Sequence, residues 1–543
     1  MTDDVRGVGD GRRAVPKRDP DDTIIATRRE LERRQSGAAR TPLRSRHDRR
    51  IARARDVRRA LGLTALSVLL PGLGLLWTKR RMIGLLLIGI TLIGGISLAI
   101  IVSSGGLVHG AAQLLTHKGL VMLLLFTIMG GLLWIGGIVL TALTTTDRRW
   151  PHQTRWMHAV FATLMCLVVA APAAYAARDV IITRNAFDQI FTKRYTNDPD
   201  AATPKGGSNP WKNIPRVNLL LVGSDAGADR YSQRPDSMMV ASIDTKTGDT
   251  VLVSVPRNMG HAPFPASSPL HKLYPGGLVA LPGQTDAAAG LMESVWAVGI
   301  ANKNLYPKDD PSPGLSATRD AITGITGLKI DYTAVIDMSG FEQLVNAMGG
   351  VWVNVKADPG QWLDPQKGIP IGGVIQNGQV VPGSITGYIK LGYQKLDGRE
   401  ALWYSRSRVA SSDDQRMRRQ RCMLNDLISQ ANPFQMVQKF PSIMQVAAKN
   451  IRIDINQDDL PAFATLADQM KHGNIRTVDI SNSRSNANPD FAQIHRWIQQ
   501  AIARKHTKKK APAPGQTTSA TSSPSTPSSS TTTNPISDTA DSC

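Results

Sequence analysis

The chain has 543 residues, a formal net charge of +21 and 5% aromatic residues. This length exceeds one ordinary domain, and much of the positive charge lies before residue 60, so the charge does not indicate a soluble nucleic-acid-binding domain. We expect residues 1–59 to form a disordered basic head in the cytoplasm, in contact with anionic lipid headgroups.

The region 60–177 contains four apolar stretches, at 61–77, 82–102, 120–143 and 157–177. The last three are long enough to cross a hydrocarbon core as helices. The first is short and contains Pro71, Gly72 and Gly74, which favour a re-entrant or interfacial segment.

Basic residues beside these stretches predict the topology, because Lys and Arg in short loops stay on the cytoplasmic side. Three spans keep the head, residues 79–81 and the basic residues of 148–155 inside, and they place everything after Ala177 outside. Four spans would put both basic loops outside and the large domain in the cytoplasm. We therefore predict a multi-pass cell-membrane protein with an extracytoplasmic domain. A cleavable signal peptide is not predicted, since a long polar head precedes the first apolar run.

A polar connector, residues 178–212, leads to a domain that we place at 213–505. Its strands and helices alternate, which predicts an α/β sheet covered on both faces. The predicted strands are 217–222, 238–243, 250–255, 332–336 and 351–355, and the predicted helices are 317–325, 339–348 and 412–430. Residues 260–314 have weak periodicity apart from a helix near 287–298, and we expect them to form an insertion at the rim of the site.

The end of the chain, residues 506–543, is rich in Ser, Thr and Pro and is predicted to be disordered. The three cysteines lie in an apolar run (Cys166), a probable helix (Cys422) and this tail (Cys543). They do not form a disulfide framework, and we predict no intramolecular bridge.

Two carboxylates are candidates for binding a metal ion. Asp225 follows the first strand of the domain, at the edge where open α/β sheets bind their ligands, and Asp236 comes just before the second strand. Hard divalent cations take one or two carboxylates together with phosphate oxygens. Either aspartate alone is equally well explained by hydrogen bonds to loop amides.

Several guanidinium groups accompany these carboxylates. Arg257 ends the third strand, Arg406 and Arg408 are expected on one face of an extended segment, and Arg416, Arg419 and Gln420 on one side of the following helix. Arg418 and Arg421 are expected to face solvent. Clustered guanidiniums repel one another unless an anion lies between them, and a pyrophosphate offers bidentate acceptors to several at once. The alternative is a solvated basic face or a nucleic-acid patch.

Other chemistries lack their signatures. The sequence has no zinc-finger or RNA-recognition pattern, no Gly-rich phosphate loop with a Lys-Ser/Thr end and no metal-binding His pair. It also lacks a Gly-x-Ser-x-Gly elbow, so a hydrolase with a nucleophilic serine has no support.

A series of motifs resembles the LytR-CpsA-Psr family of Gram-positive cell-envelope enzymes. The motifs occur in the family's order between residues 218 and 427. They are residues 218–225 (NLLLVGSD), 234–236 (RPD), 255–257 (VPR), 272–273 (KL), 337–341 (DMSGF), 404–408 (YSRSR) and 416–420 (RMRRQ).

The resemblance implies an extracytoplasmic α-β-α domain that holds a polyprenyl pyrophosphate-linked glycan in an apolar pocket and transfers the glycan phosphate to peptidoglycan. It implies Mg²⁺ or Mn²⁺ bound by Asp225 and Asp236, which are also catalytic with Arg257. The residues implied to bind the pyrophosphate are Arg257, Lys272, Arg406, Arg408, Arg416, Arg419 and Gln420. Either aspartate could accept the proton of the attacking hydroxyl.

Three positions depart from the family pattern: Pro235 interrupts Arg-Ser-Asp, Asn258 replaces an acidic residue and Tyr274 replaces an asparagine. Two alternative functions remain at this stage. One is hydrolysis of lipid pyrophosphates by the same residues. The other is a membrane-bound transcriptional regulator, although we expect no nucleic-acid partner.

Overall fold

The computed structural model describes residues 46–103, 107–191, 202–205, 209–224, 235–280, 288–430, 448, 450–481, 483–504, 535–539 and 543. These residues form two compact units: 46–85 with 136–166, and 86–135 with 167 onward. The boundaries between the units fall within the long helices Arg81–Ser103, His117–Thr145 and His152–Ile190.

Five α-helices lie in the described N-terminal residues, 46–103 and 107–191. They are α1 (Arg46–Leu69), α2 (Arg81–Ser103), α3 (Leu107–Leu114), α4 (His117–Thr145) and α5 (His152–Ile190). Among the described residues, α2, α4 and α5 are long and apolar enough to cross a membrane. They coincide with the three predicted spans.

In the first unit, the apolar stretch 61–77 is interrupted by a turn. Helix α1 ends at Leu69, Gly72 adopts a positive φ of 84°, and a 3-10 helix, Leu73–Trp77, follows. This 3-10 helix packs back on α1, because a Cβ on Gly74 would lie 2.1 Å from the Leu63 carbonyl oxygen. The stretch 61–77 is therefore not one continuous helix, and whether it is re-entrant or interfacial stays a prediction. The prediction of a disordered head is wrong for residues 46–59, which are helical.

The second unit contains the strands and the remaining helices. The strands are β1 (Arg216–Ser224), β2 (Pro235–Asp244), β3 (Thr250–Val255), β4 (Tyr332–Asp337), β5 (Val351–Val355), β6 (Ile369–Gly372), β7 (Ile375–Gln376), β8 (Gln379–Val380), β9 (Ile385–Ile389), β10 (Gly392–Leu396), β11 (Ile451–Ile453), β12 (Ile475–Asp479) and β13 (Ile536–Asp538). The helices are α6 (Val295–Ala301), α7 (Pro313–Thr326), α8 (Met338–Met348), α9 (Gly398–Arg406), α10 (Asp413–Gln430), α11 (Leu460–His472) and α12 (Phe491–Ala503).

Seven strands form one mixed sheet in the order β11-β4-β1-β2-β3-β12-β13. β1 is parallel to β4, β3 is parallel to β12, and the other neighbouring pairs are antiparallel. Since β2 runs opposite to its neighbours, the start of β2 meets the ends of β1, β3, β4 and β12. We call this side of the sheet the carboxyl edge.

Helices cover both faces of the sheet, as predicted. On one face, Leu220 and Val253 pack with Ile322 of α7 and Ile498 of α12. On the other face, the buried strand residues pack against α11. This arrangement confirms the α-β-α class. The predicted strands and the helices 317–325, 339–348 and 412–430 are confirmed with small shifts at their ends. Of the helix predicted near 287–298, residue 287 lies outside the described residues, and a 3-10 turn precedes α6.

Strands β5 and β10 form a separate two-stranded sheet. Val351, Val353 and Val355 bury one face of β5 in a core shared with α8, α9 and α10. Helix α8 ends before β5 at two glycines, Gly349 and Gly350, whose φ angles of 84° and 91° suit glycine best. The exposed residues Trp352 and Asn354 lie on the other face of β5.

Helix α3, between the first two apolar helices, packs against α11 of the domain. The His109 ring lies 3.3 Å from the Thr465 hydroxyl. Gln457 donates to the Leu115 carbonyl at 2.8 Å. Residues of the loop between α2 and α4 therefore touch the domain that follows α5.

The end of the chain adds an edge strand and a disulfide. β13 pairs with β12, Ile536 is buried in the main core, and Cys543 is bonded to Cys422 of α10. The prediction of no intramolecular bridge was wrong, because Cys422 and Cys543 are 121 residues apart and only strand pairing brings them together. The predicted disorder does not hold for 535–539, while residues 505–534 lie outside the described part of the chain.

We expect Cys543→Ser to lower the free energy of unfolding by about 2–4 kcal/mol, because the bridge closes a long loop of the unfolded chain. Thermal unfolding of the full chain in detergent measures this. Wild-type protein under reductant should match the variant, and Cys166→Ser, which removes the free thiol, should not change the midpoint. Equal stability of wild type and Cys543→Ser would contradict a contribution of the bridge.

Candidate functional site

The carboxyl edge brings together residues from separate strands. Ser224, which ends β1, pairs with Pro235 of β2 and with Asp337 of β4. Asp236 is the next residue of β2, and Arg257 follows the end of β3. The antiparallel insertion of β2 thus places Asp236 and Arg257 side by side. Asp225 and Arg234 lie outside the described residues, so the Asp225 prediction stays a prediction.

Arg257 lies between two carboxylates. Its Nη1 donates to Asp236 Oδ1 at 2.8 Å and lies 3.5 Å from Glu293 Oε2. Within the described residues, Nε and Nη2 of Arg257 have no partner, and the side chain keeps 26% of its exposure. The ion pairs orient the guanidinium while two of its donor nitrogens stay available for an anion.

Glu293 was not identified from the sequence. It belongs to a 3-10 helix of the insertion 260–314, and its backbone N–H donates to the Arg257 carbonyl at 2.9 Å. The weak periodicity of the insertion gave no sign of this contact. One indirect signal existed: Asn258 stands where the family has an acidic residue. Glu293 supplies a carboxylate to the same arginine from another segment.

Gln420 of α10 connects the helix to the carboxyl edge. Ser237, next to Asp236, donates its hydroxyl to Gln420 Oε1 at 2.9 Å, and Gln420 Nε2 donates to the Ser405 carbonyl at 3.1 Å. Both the oxygen and the nitrogen of the Gln420 side-chain amide therefore have a hydrogen-bond partner. Gln420 therefore fixes α10 against the start of β2.

Asp413, at the first turn of α10, pairs with two arginines. Its Oδ1 lies 2.9 Å from Arg416 Nη2 and 3.3 Å from Arg408 Nε. Arg416 is 4% exposed and its Nε has no partner within the described residues. A buried donor without a partner is rare and is what an incoming anion would satisfy.

Electrostatics join Arg416 to the strand residues. Burial lowers the pKa of Arg416, the Asp413 charge opposes that change, and the charges of Arg408 and Arg257 lower the pKa further. Asp236 acts on the same group and raises the pKa. Arg416 therefore lies within the electrostatic reach of both Arg257 and Asp236, and an anion held there would relieve repulsion among three guanidiniums.

Arg406 and Lys272 are less closely tied to this group. Arg406 is the last residue of helix α9, with its guanidinium 5.2 Å from the Trp403 ring centroid. The expected extended segment was wrong here, because an Asp397–Glu400 capping box starts a helix that includes Arg406. Lys272 ends a 3-10 helix and is exposed.

Arg419 points into the protein rather than toward the carboxyl edge. It is 1% exposed, it donates to Asp358 and to the Ser407 carbonyl, and it lies 6.0 Å from the Tyr404 ring centroid. Burial raises the pKa of Tyr404 to about 12, so its hydroxyl stays neutral. This placement does not support the predicted contact of Arg419 with pyrophosphate, and the three residues expected on one side of α10 diverge.

Two further arginines of α10 were wrongly expected in solvent. Arg418 Nη2 lies 3.0 Å from Asp358 Oδ1. Arg421 is 7% exposed, burial lowers its pKa, and the charges of Asp479 and Asp414 raise it. Helix α10 is covered on several sides, so spacing along the helix did not tell which arginines would be exposed.

The described residues contain no cluster of three or more His, Cys, Asp or Glu side chains arranged to hold a metal ion. Asp236 nevertheless has one carboxylate oxygen, Oδ2, without a partner in the described part of the chain. Mg²⁺ commonly takes one or two carboxylates and completes its shell with water and phosphate oxygens. The donor chemistry of Asp236 fits such an ion, and Asp225, eleven residues earlier in the sequence, is the second carboxylate that the sequence predicts.

Known proteins resemble this chain over its second half. The sequence model of the LytR_cpsA_psr family matches residues 189–510. The polyisoprenyl-teichoic acid–peptidoglycan teichoic acid transferase TagU of Oceanobacillus iheyensis is 23% identical over 340 residues, which are 61% of this chain and 85% of that protein. TagU of Enterococcus faecalis is 25% identical over 252 residues, 46% of this chain and 64% of that protein. The crystal structure of Bacillus subtilis TagT covers 55% of this chain and 95% of its own, at 17% identity and a TM-score of 0.35.

We expect Arg419→Ala to destabilise the fold by about 3–5 kcal/mol, because it leaves the buried Asp358 carboxylate with fewer partners. Thermal unfolding measures this, with Arg496→Ala, an exposed arginine of α12, as the control. The double variant Arg419→Met with Asp358→Leu should recover much of the loss. A stable Arg419→Ala protein that loses only substrate binding would contradict a structural role.

Proposed function

This chain belongs to the LytR_cpsA_psr family, and we propose that it is a membrane-anchored phosphotransferase that moves a glycopolymer from a polyprenyl pyrophosphate carrier onto peptidoglycan. The transferase names of its relatives support this activity. The observation that carries the proposal is the Arg257–Asp236 ion pair at the carboxyl edge, where the Ser237–Gln420 hydrogen bond also holds α10, the helix that carries Arg416.

The proposed site binds the pyrophosphate through guanidinium donors that have no partner among the described residues. Arg257 offers Nε and Nη2, and Arg416 offers its buried Nε. Each charge-assisted hydrogen bond contributes about 1.5–3 kcal/mol. Arg408, whose side chain is 42% exposed, would close the outer side of the site, with Arg406 and Lys272 as further contacts.

A bound Mg²⁺ or Mn²⁺ would be held by Asp236 and Asp225 and would neutralise negative charge on the phosphate oxygens. The chain's own residues perform the remaining tasks. Glu293 and Asp236 hold Arg257 in one orientation, and Asp413 does the same for Arg416. This preorganisation matters because phosphoryl transfer depends on positioning and on stabilising developing charge.

In the proposed reaction, a peptidoglycan hydroxyl attacks the phosphorus on the glycan side of the pyrophosphate. A new phosphorus–oxygen bond forms, the bond to the bridging oxygen breaks, and polyprenyl phosphate leaves with that electron pair. The hydroxyl proton passes to a carboxylate, Asp225 or Asp236. Water in place of the hydroxyl would give hydrolysis, and the same residues would serve it.

The regulator alternative is less well supported. A nucleic-acid surface needs exposed cations that can reach phosphates. Of the arginines of α10, Arg416, Arg419 and Arg421 are 4%, 1% and 7% exposed. Helix α10 therefore does not present a basic face of the kind that binds DNA.

The contact between α3 and α11 supports the proposed membrane placement. α3 precedes α4 and α5, and the domain follows them. Because α3 touches the domain, both must lie on the same side of the membrane. Two crossings, one by α4 and one by α5, would return the chain to that side. The basic residues near 79–81 and 148–155 favour the cytoplasm for the opposite side, and this supports a domain outside the membrane.

We expect Arg257→Ala to reduce glycan transfer at least a hundredfold without unfolding the domain, because it removes charge stabilisation of the transition state. The assay is transfer of a lipid-linked glycan to peptidoglycan, with thermal unfolding measured on the same samples. Arg496→Ala is the matched control. If Arg257→Ala transferred glycan at the wild-type rate, the proposed site would be rejected. If the wild-type protein released free glycan phosphate in the presence of peptidoglycan, hydrolysis would be favoured over transfer.

A topology test is independent of catalysis. An alkaline phosphatase, which is active only after export, should be active when it is fused after His506. A reporter that fluoresces only in the cytoplasm should be dark at the same position. The same reporters fused after Arg149 should give the reverse pattern. Activity of the His506 fusion in the cytoplasm would exclude the proposed transfer to peptidoglycan.

A further inference from the structure

The solvent face of the β5–β10 sheet carries an exposed aromatic pair. The rings of Trp352 and Tyr393 stack with centroids 5.2 Å apart and planes at 13°. They remain 44% and 71% exposed, although Val351, Val353, Val355 and Leu396 on the opposite face are buried. Large exposed aromatic side chains held in one arrangement are typical of a binding surface rather than of a solvated sheet.

Polar side chains flank the rings on the same face. Asn354 is the cross-strand partner of Tyr393, and Lys395 is that of Trp352. Within the described residues, neither Asn354 nor Lys395 has a side-chain hydrogen bond or ion pair. The face therefore combines apolar ring surface with an amide and an ammonium group, both free to bind.

A polar cleft adjoins the aromatic pair. It has a volume of about 360 Å³ and shares Lys395 with the sheet face. The residues that line the cleft are polar or glycine, apart from one leucine. They are Asn346, Gly349, Gly350, Lys395, Leu396, Asp397 and Glu400. At Gly350 the backbone lies close against β10, because a Cβ there would be 2.8 Å from the Leu396 carbonyl oxygen.

Helix α10 links this surface to the carboxyl edge. Gln430, its last residue, accepts from the Trp352 backbone N–H at 2.8 Å and donates to the Trp352 carbonyl at 2.7 Å. Arg416 lies on the same helix, and at 1.5 Å per residue the two positions are about 20 Å apart along its axis. The aromatic pair is thus held at a set distance from the proposed reaction site.

We infer that Trp352, Tyr393 and the adjoining cleft bind the glycan strand of the peptidoglycan acceptor. This inference rests on the proposed function. The C–H-rich face of a pyranose ring packs on an aromatic ring face, whose π electrons are negative, and Asn354 suits its hydroxyl and acetamido groups. The stem peptides of peptidoglycan carry carboxylate groups, which complement Lys395. They also carry ammonium groups, which complement Asp397 and Glu400.

Other occupants fit less well. A lipid surface would favour apolar neighbours around the rings, whereas the cleft is mainly polar. An anionic wall polymer would meet Asp397 and Glu400, which repel it. A polysaccharide with mixed charge satisfies both parts of the surface.

The test is co-sedimentation of the full chain in detergent with insoluble peptidoglycan that has been stripped of wall polymers by acid. The double variant Trp352→Ala with Tyr393→Ala should bind at least about tenfold more weakly, because two stacking contacts are lost. Trp352→Phe with Tyr393→Phe should retain most of the binding. Trp362→Ala removes a tryptophan that is 58% exposed and outside the cleft, and it should bind as wild type.

Binding is measured without donor, so it does not depend on the transfer reaction. Arg257→Ala should therefore sediment as wild type even where transfer is lost. Wild-type sedimentation of the double alanine variant, with an unchanged unfolding midpoint, would overturn the inference. An equal loss of binding to isolated wall polymer or to anionic phosphatidylglycerol vesicles would also overturn it, since the surface would then not be specific for peptidoglycan.

Discussion

The burial of guanidinium groups beside the sheet edge is the constraint on which the rest of this structure depends. Removing an arginine from water costs several kcal/mol unless a carboxylate and further hydrogen bonds compensate it. The chain supplies such partners from distant segments. The pairs are Arg257 with Asp236 and Glu293, Arg416 with Asp413, and Arg419 with Asp358. Within the described residues, these pairs leave donors on Arg257 and Arg416 without a partner, and the proposed pyrophosphate site uses these donors.

The sheet makes these pairs possible. Inserting β2 antiparallel between β1 and β3 brings the start of one strand to the ends of its neighbours. Helix α10 then crosses this edge, with Gln420 joined to Ser237 at one point and Gln430 to Trp352 at its end. One helix therefore carries arginines toward the edge, holds a buried ion pair beneath it and positions an aromatic surface some turns away. The Cys422–Cys543 disulfide attaches the chain's last residue to the same helix.

The sequence predicted much of the fold and part of the site. Strands such as 250–255 and the helix beginning near Ser412 carry strong local signals, namely continuous apolar runs and a capping pattern. Arg406 was misplaced because the capping box at Asp397 went unrecognised. Arg419 and Arg421 were misassigned because helical spacing says which residues share a side but not what covers that side. The Cys422–Cys543 bridge and the Glu293 contact depend on pairing over long sequence separations.

By itself, the sequence determined the apolar helices, the alternation of strands and helices, and the set of acidic and basic residues in family order. These properties follow from local periodicity, propensity and residue chemistry. Only the tertiary structure decided which arginines reach the carboxyl edge and which are buried in ion pairs inside the protein. The physical reason is that a guanidinium's availability depends on its desolvation and its carboxylate partners, and those come from segments that are neighbours in space but not in sequence.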